Sequence, residues 1–144
     1  MKLKVVEIAG KQYPIHFGMA ALLEIAETTG IDPDNLLSSL QIRSAKDRLN
    51  LAYIGMKEGC RIAEKDAPST FLKFCDLLDQ NPDALEEIVG LYYLQTFGKK
   101  VDALIEEAEK IEDEGVKEAV DNIKNVWPIL TQKASTLVSD DYTK

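Results

Sequence analysis

Apolar and polar residues alternate at the start of the chain, and then the alternation changes phase. Leu3 and Val5 stand beside Lys2 and Lys4, the two-residue period of a half-buried strand. Val6 and Ile8 then bracket Glu7 on the opposite phase. A bulge near Val5–Val6 accounts for the slip, and so does a strand buried on both faces. Ala9-Gly10-Lys11-Gln12 reads as the turn, with Gly10 free to take positive φ. Tyr13, Ile15 and Phe17 share one face of the return strand, and His16 is offset from that face as a strand surface residue. Pro14 has no N–H to give, which places this strand at a sheet edge. Two strands alone are marginally stable, so the hairpin must pack on helices or pair with another chain.

From Gly18 onward the period is helical. Ala21, Leu22, Ile25 and Ala26 form a stripe that Gly30 closes. Asp32-Pro33 is a cap followed by proline, opening a short helix over 33–40. Ser44 and Asp47 have capping-box spacing and open a helix over 45–65. Its inward stripe is Ala45, Leu49, Ala52, Tyr53, Met56, Cys60 and Ala63, flanked by Ile54. Gly55 and Gly59 lie four apart in it and mean either close helix packing or local weakness. Ser69 can cap a helix to about Asp79, with Phe71, Leu72, Cys75 and Leu78 inward. Asn81-Pro82 opens the next helix. Between Leu85 and Phe97 the apolar positions 85, 88, 89, 91, 92, 93, 94 and 97 cover more than half the circumference. Such a helix is either central in the core or part of an interface. Two further stripes run from Val101 to Ile111 and from Val116 to Ile123, with Gly115 separating or bending them. Trp127-Pro128 ends the regular pattern, and the tail at 139–144 reads as frayed.

The expected fold is α+β and predominantly α. One domain spans 1–144, with a β-hairpin at 2–17 and a compact bundle of about five or six helices over 18–127. No run approaches the roughly 18 apolar residues of a membrane helix, and the start lacks the apolar centre of a secretory leader. With no leader, Cys60 and Cys75 are expected as buried thiols rather than a disulfide.

A net charge of −8 opposes binding to nucleic-acid phosphates, which requires a basic face. The acid is concentrated between Asp102 and Asp121, where nine carboxylates meet Lys110 and Lys117. That stretch is either a solvated helix face or a surface for a basic partner.

Catalytic patterns are missing. His16 is the sole histidine, and no nucleophile accompanies it in the sequence. There is no CxxC, HExxH or EF-hand spacing, no ExxH pair and no glycine-rich phosphate loop. The chain is expected not to be an enzyme and to carry no metal or cofactor. Functional weight therefore falls on surfaces. Ile88, Leu91, Tyr92 and Leu94 of the apolar helix are one candidate partner surface. The edge strand at Pro14 and Ile15, open to strand addition, is another.

One segment resembles a known family. Val6, Ile8, Gly10, Lys11, Tyr13, Ile15, Phe17 and Gly18 follow the spacing V-x-I-x-G-K-x-Y-x-I-x-F-G. Ala21, Leu22, Ile25, Thr29, Gly30 and Ile31 continue it. This opening is similar to that of phage tail assembly chaperones, and Leu49–Gly59 resembles their next buried helix. The resemblance implies a small, mostly helical cytoplasmic protein made during phage or prophage assembly. It would coat the tape measure protein and keep it soluble until tail tube subunits polymerise around it. It also implies self-association. The acidic 102–121 stretch has no counterpart in that pattern. The competing expectation, carried by this stretch and the net charge, is an acidic interaction or regulatory module that mimics nucleic acid. Salt separates the two, because a charge mimic loses its partner steeply as ionic strength rises.

Overall fold

The computed structural model describes residues 2–33, 44–98 and 139–141, with single positions between 106 and 121. Strands β1 (Lys2–Ile8) and β2 (Lys11–Ile15) pair antiparallel, from Lys4 opposite Ile15 to Ile8 opposite Lys11. The two-residue loop between them has φ of 54° at Ala9 and 78° at Gly10. Positive φ at both positions is the type I′ geometry, whose twist matches that of paired strands. The register runs without interruption through Val5 and Val6, so no bulge is present. Leu3, Val5, Val6 and Ile8 are all at most 3% exposed. The phase slip in the sequence is therefore a strand buried on both faces.

A third strand, β3 (Ser139–Asp141), pairs antiparallel with the start of β1, giving the order β2-β1-β3. This corrects the frayed tail expected at 139–144 for these three residues. Three residues in a row have no hydrophobic alternation to read, so nothing local marked them as a strand. β2 stays at an edge, as Pro14 requires.

Four helices occur among the described residues: α1 (Met19–Thr29), α2 (Ala45–Ala63), α3 (Phe71–Leu78) and α4 (Asp83–Phe97). That is fewer than the five or six expected. The helix expected over 33–40 lies outside the described residues. So does most of 101–123, although Glu106, Glu109, Glu114, Lys117 and Asp121 are helical and exposed.

The caps largely follow the residue chemistry. Gly30 ends α1 at φ 73° and donates its N–H to the Ala26 carbonyl. Ser44 Oγ accepts from the Asp47 N–H at 3.0 Å and starts α2. Thr70, one residue beyond the expected Ser69, caps α3 by accepting from the Lys73 N–H at 3.1 Å. Before α4, the Asn81 side chain does not cap; its amide donates to the Glu7 carbonyl at 3.0 Å and ties α4 to β1.

Helix α2 is the centre of the packing and touches β2, α1, α3 and α4. Its burial is broader than one stripe. Leu51, Ile54, Gly55 and Gly59 are buried along with Ala52, Met56 and Cys60, while Ala45 is exposed. The remaining core comes from Val6, Ile8, Ile15 and Phe17 of the hairpin, Ile25 of α1, Phe74 of α3, and Ile88, Leu91 and Tyr92 of α4. Each such side chain contributes about 1.5–3 kcal/mol by leaving water. Phe17 meets Tyr92 edge-to-face at 5.3 Å, and Tyr53 stacks on Phe74 at 5.1 Å.

The two glycines of α2 explain its close approach. A Cβ on Gly59 would collide with the Pro14 carbonyl, and one on Gly55 with the Phe17 ring. Close packing, rather than local weakness, is what their spacing provides. At these two glycines the helix lies against the hairpin and the residues just after it rather than against another helix.

Candidate interaction surface

The structure moves the apolar-helix candidate inward. Ile88, Leu91 and Tyr92 are completely buried, and Leu94 is half-buried. Their neighbours explain this: α4 lies between α2 and β1, so both flanks of the helix meet protein. A helix apolar on most sides is here central core, and these four residues do not form an open face.

The hairpin-edge candidate is also corrected. Pro14 and Ile15 are buried. In a two-residue hairpin the paired residues alternate between hydrogen-bonded and unbonded, which turns the backbone groups of Gln12, Pro14 and His16 outward. Each meets α2 or the residues just after it. Lys65 Nζ donates to the Gln12 carbonyl at 3.0 Å. The Pro14 carbonyl lies against Gly59. The His16 N–H donates to the Gly55 carbonyl at 3.0 Å. The edge that Pro14 identified is real, but a helix covers it and strand addition has no room.

Exposed large apolar side chains lie elsewhere. Met19 is 85% exposed and Leu23 62%, four residues apart on the outer side of α1. Leu72 of α3 is 73% exposed, against the expectation that it points inward. Phe74 takes the inward place, buried under Tyr53. The signal for the α1 pair was present in the sequence. Met19 and Leu23 share one helix face, well away from the Ala21/Ile25 stripe, so one face cannot bury both sets. The flank of this surface is polar. Glu24 bonds Lys57 Nζ of α2 at 2.6 Å, and that ammonium sits 4.8 Å from the Tyr53 ring centre. At the start of α1, Gln95 Oε1 of α4 accepts from the Phe17 N–H at 2.8 Å, which fixes how the helix leaves the hairpin.

The sole histidine sits at the same junction. The His16 ring lies beside Gly18 and within electrostatic reach of Glu58 and Arg61. Burial holds its pKa below the ordinary histidine value, and Arg61 pushes the same way while Glu58 opposes. Arg61 in turn binds Glu58 and lowers its pKa. The Glu58–Arg61 ion pair beside the His16 ring makes a polar seam. The ring is half-buried, so the expected strand surface residue is corrected in part. Cys60 is buried, with its thiol pushed up to about 11 by burial, and Cys75 is also a free thiol, half-buried.

Between β2 and α3 lies a shallow depression of about 390 Å³ with Tyr13, Pro68 and Leu77 on its walls and Lys11, Lys73, Asp66 and Asp76 around it. Two lysines and two aspartates balance in charge around it. Among the described residues, no three His, Cys, Asp or Glu side chains group in a way that could hold a metal ion. No helix among them is long and apolar enough to cross a membrane. Comparison of the chain with known protein families, with curated proteins and with solved structures finds no match.

Proposed function

We propose that this chain is a phage or prophage tail assembly chaperone. It acts in the bacterial cytoplasm, binds the tape measure protein and keeps it soluble until tail tube subunits polymerise around it. It works through surfaces, with no catalytic group and no cofactor. The observation that carries the reading is the exposed Met19/Leu23 pair. It stands on the helix of the opening segment, where the resemblance to the family is clearest. Two apolar side chains at i and i+4 suit a groove or stripe on a long amphipathic client helix. Methionine adds an adaptable contact that tolerates clients of irregular shape. Burying both would contribute about 3–6 kcal/mol before the costs of association, enough for a weak, releasable contact.

The test is co-expression with a tape measure protein. The wild-type chain should hold the client in the soluble fraction. Met19→Asp with Leu23→Asp should lose that ability while melting at the wild-type temperature. If the wild-type chain leaves the client insoluble, the reading fails. Exposed acids on helical positions 106, 109, 114 and 121 favour the acidic-module alternative. A partner captured at low salt and released steeply as salt rises would support that alternative instead.

A further inference from the structure

We infer that the outer edge of β1 is a strand-acceptor site, and that β3 of a second copy of this chain can occupy it. The inference stands on the sheet and does not depend on the client proposed above. The β1–β2 hairpin has two edges, and the fold closes them differently. Helix α2 and Lys65 just after it seal the β2 edge at Gln12, Pro14 and His16, with two glycines holding the helix close. The opposite edge is closed by three residues, Ser139–Asp141, set against Lys4, Leu3 and Lys2. The ladder of β3 stops at Lys4, and further along β1 the Glu7 carbonyl is taken by Asn81 instead. Forty residues (99 to 138) separate the strand that closes this edge from Gly98.

The fold itself shows which segment fits the slot. Residues 139–141 make a regular antiparallel ladder there, so the same ladder is available to the same residues of another copy with no new contact required. A strand with only three paired positions detaches more readily than the body of a domain. An exposed edge left by detachment is a template for the next chain. Reciprocal exchange gives a closed pair, and head-to-tail exchange gives an open series of copies.

Disulfide trapping in the full-length chain tests this. Lys2 and Asp141 face each other across an unbonded antiparallel pair, where Cα atoms lie close enough for a disulfide. Chains carrying Lys2→Cys alone and Asp141→Cys alone, each with Cys75→Ser, are mixed, refolded together at high concentration and oxidised. The expected product is the mixed dimer, at several-fold excess over either homodimer, declining as the mixture is refolded more dilute. Adding Asp140→Pro to the second chain removes a strand N–H and should abolish the mixed dimer. The double variant, with both cysteines in one chain, supplies the second measurement. If it closes within the chain while the single variants give no excess mixed dimer at any concentration, exchange is overturned. If it forms no internal disulfide either, β3 does not occupy this edge and the inference falls with it.

Discussion

Ala9 sits at φ 54°, a left-handed conformation that a side chain bearing Cβ disfavours, and the neighbouring Gly10 carries the second positive φ of the same turn. Asparagine tolerates this region better than alanine does, and Asn-Gly is the preferred pair for a type I′ turn. Ala9→Asn should therefore stabilise the protein by about 0.5–1 kcal/mol, seen as a higher midpoint in urea with an unchanged slope. A lower midpoint would mean that the turn is not of this type. The turn's location was legible from Gly10, but the strain at Ala9 was not, because alanine carries no sign of the backbone angle it adopts. His16 is a second single-residue case. Burial lowers its folded pKa beneath the ordinary value of 6.5, so the unfolded chain binds the proton more readily. The corresponding stability is complete above the unfolded pKa and is lost as pH falls toward the folded one. Thermal melts from about pH 7 down to about pH 5 should show a smaller loss in His16→Asn than in wild type. Equal losses would mean that the imidazole is fully solvated.

At the scale of elements, α2 and β2 are held at a separation that glycine alone allows. A methyl group at Gly59 would meet backbone, which cannot rotate away as a side-chain tip can. Gly59→Ala gains about 1 kcal/mol of helix propensity and loses more by forcing the helix off the strand. A net destabilisation of about 2 kcal/mol is expected in urea unfolding, and a stabilisation would mean that the helix does not lie this close. The boundaries of α1 and α2 could be read in advance because Gly30 and Ser44 act on their own neighbours. The burial of Leu51 and Ile54 could not, because it depends on the hairpin lying along a second side of α2. The same limit applied to α4. Its apolar circumference fitted core or interface equally well, and only the placement of α2 and β1 on its flanks decides for core. Leu72 and Phe74 show the error in small form: an eight-residue helix offers two turns, too few for period alone to choose the buried face.

At the scale of the molecule, the described residues place a three-stranded sheet against four helices, and a single helix, α2, both covers the β2 edge and organises the core. The fold class could be read from the first thirty residues and the helical periods that follow. The third strand could not, since the pairing of Lys2 with Asp141 joins residues far apart in the sequence and leaves no local trace. That pairing bears on the order in which the molecule is made. β1 leaves the ribosome well ahead of the strand that closes its outer side, because residues 9 to 138 lie between them. At about 5–20 residues per second, the unclosed edge persists for roughly 7–27 seconds on every nascent chain. Neighbouring ribosomes on one message hold such chains side by side throughout that interval. Translation itself therefore brings unfinished sheets together before each has its own β3.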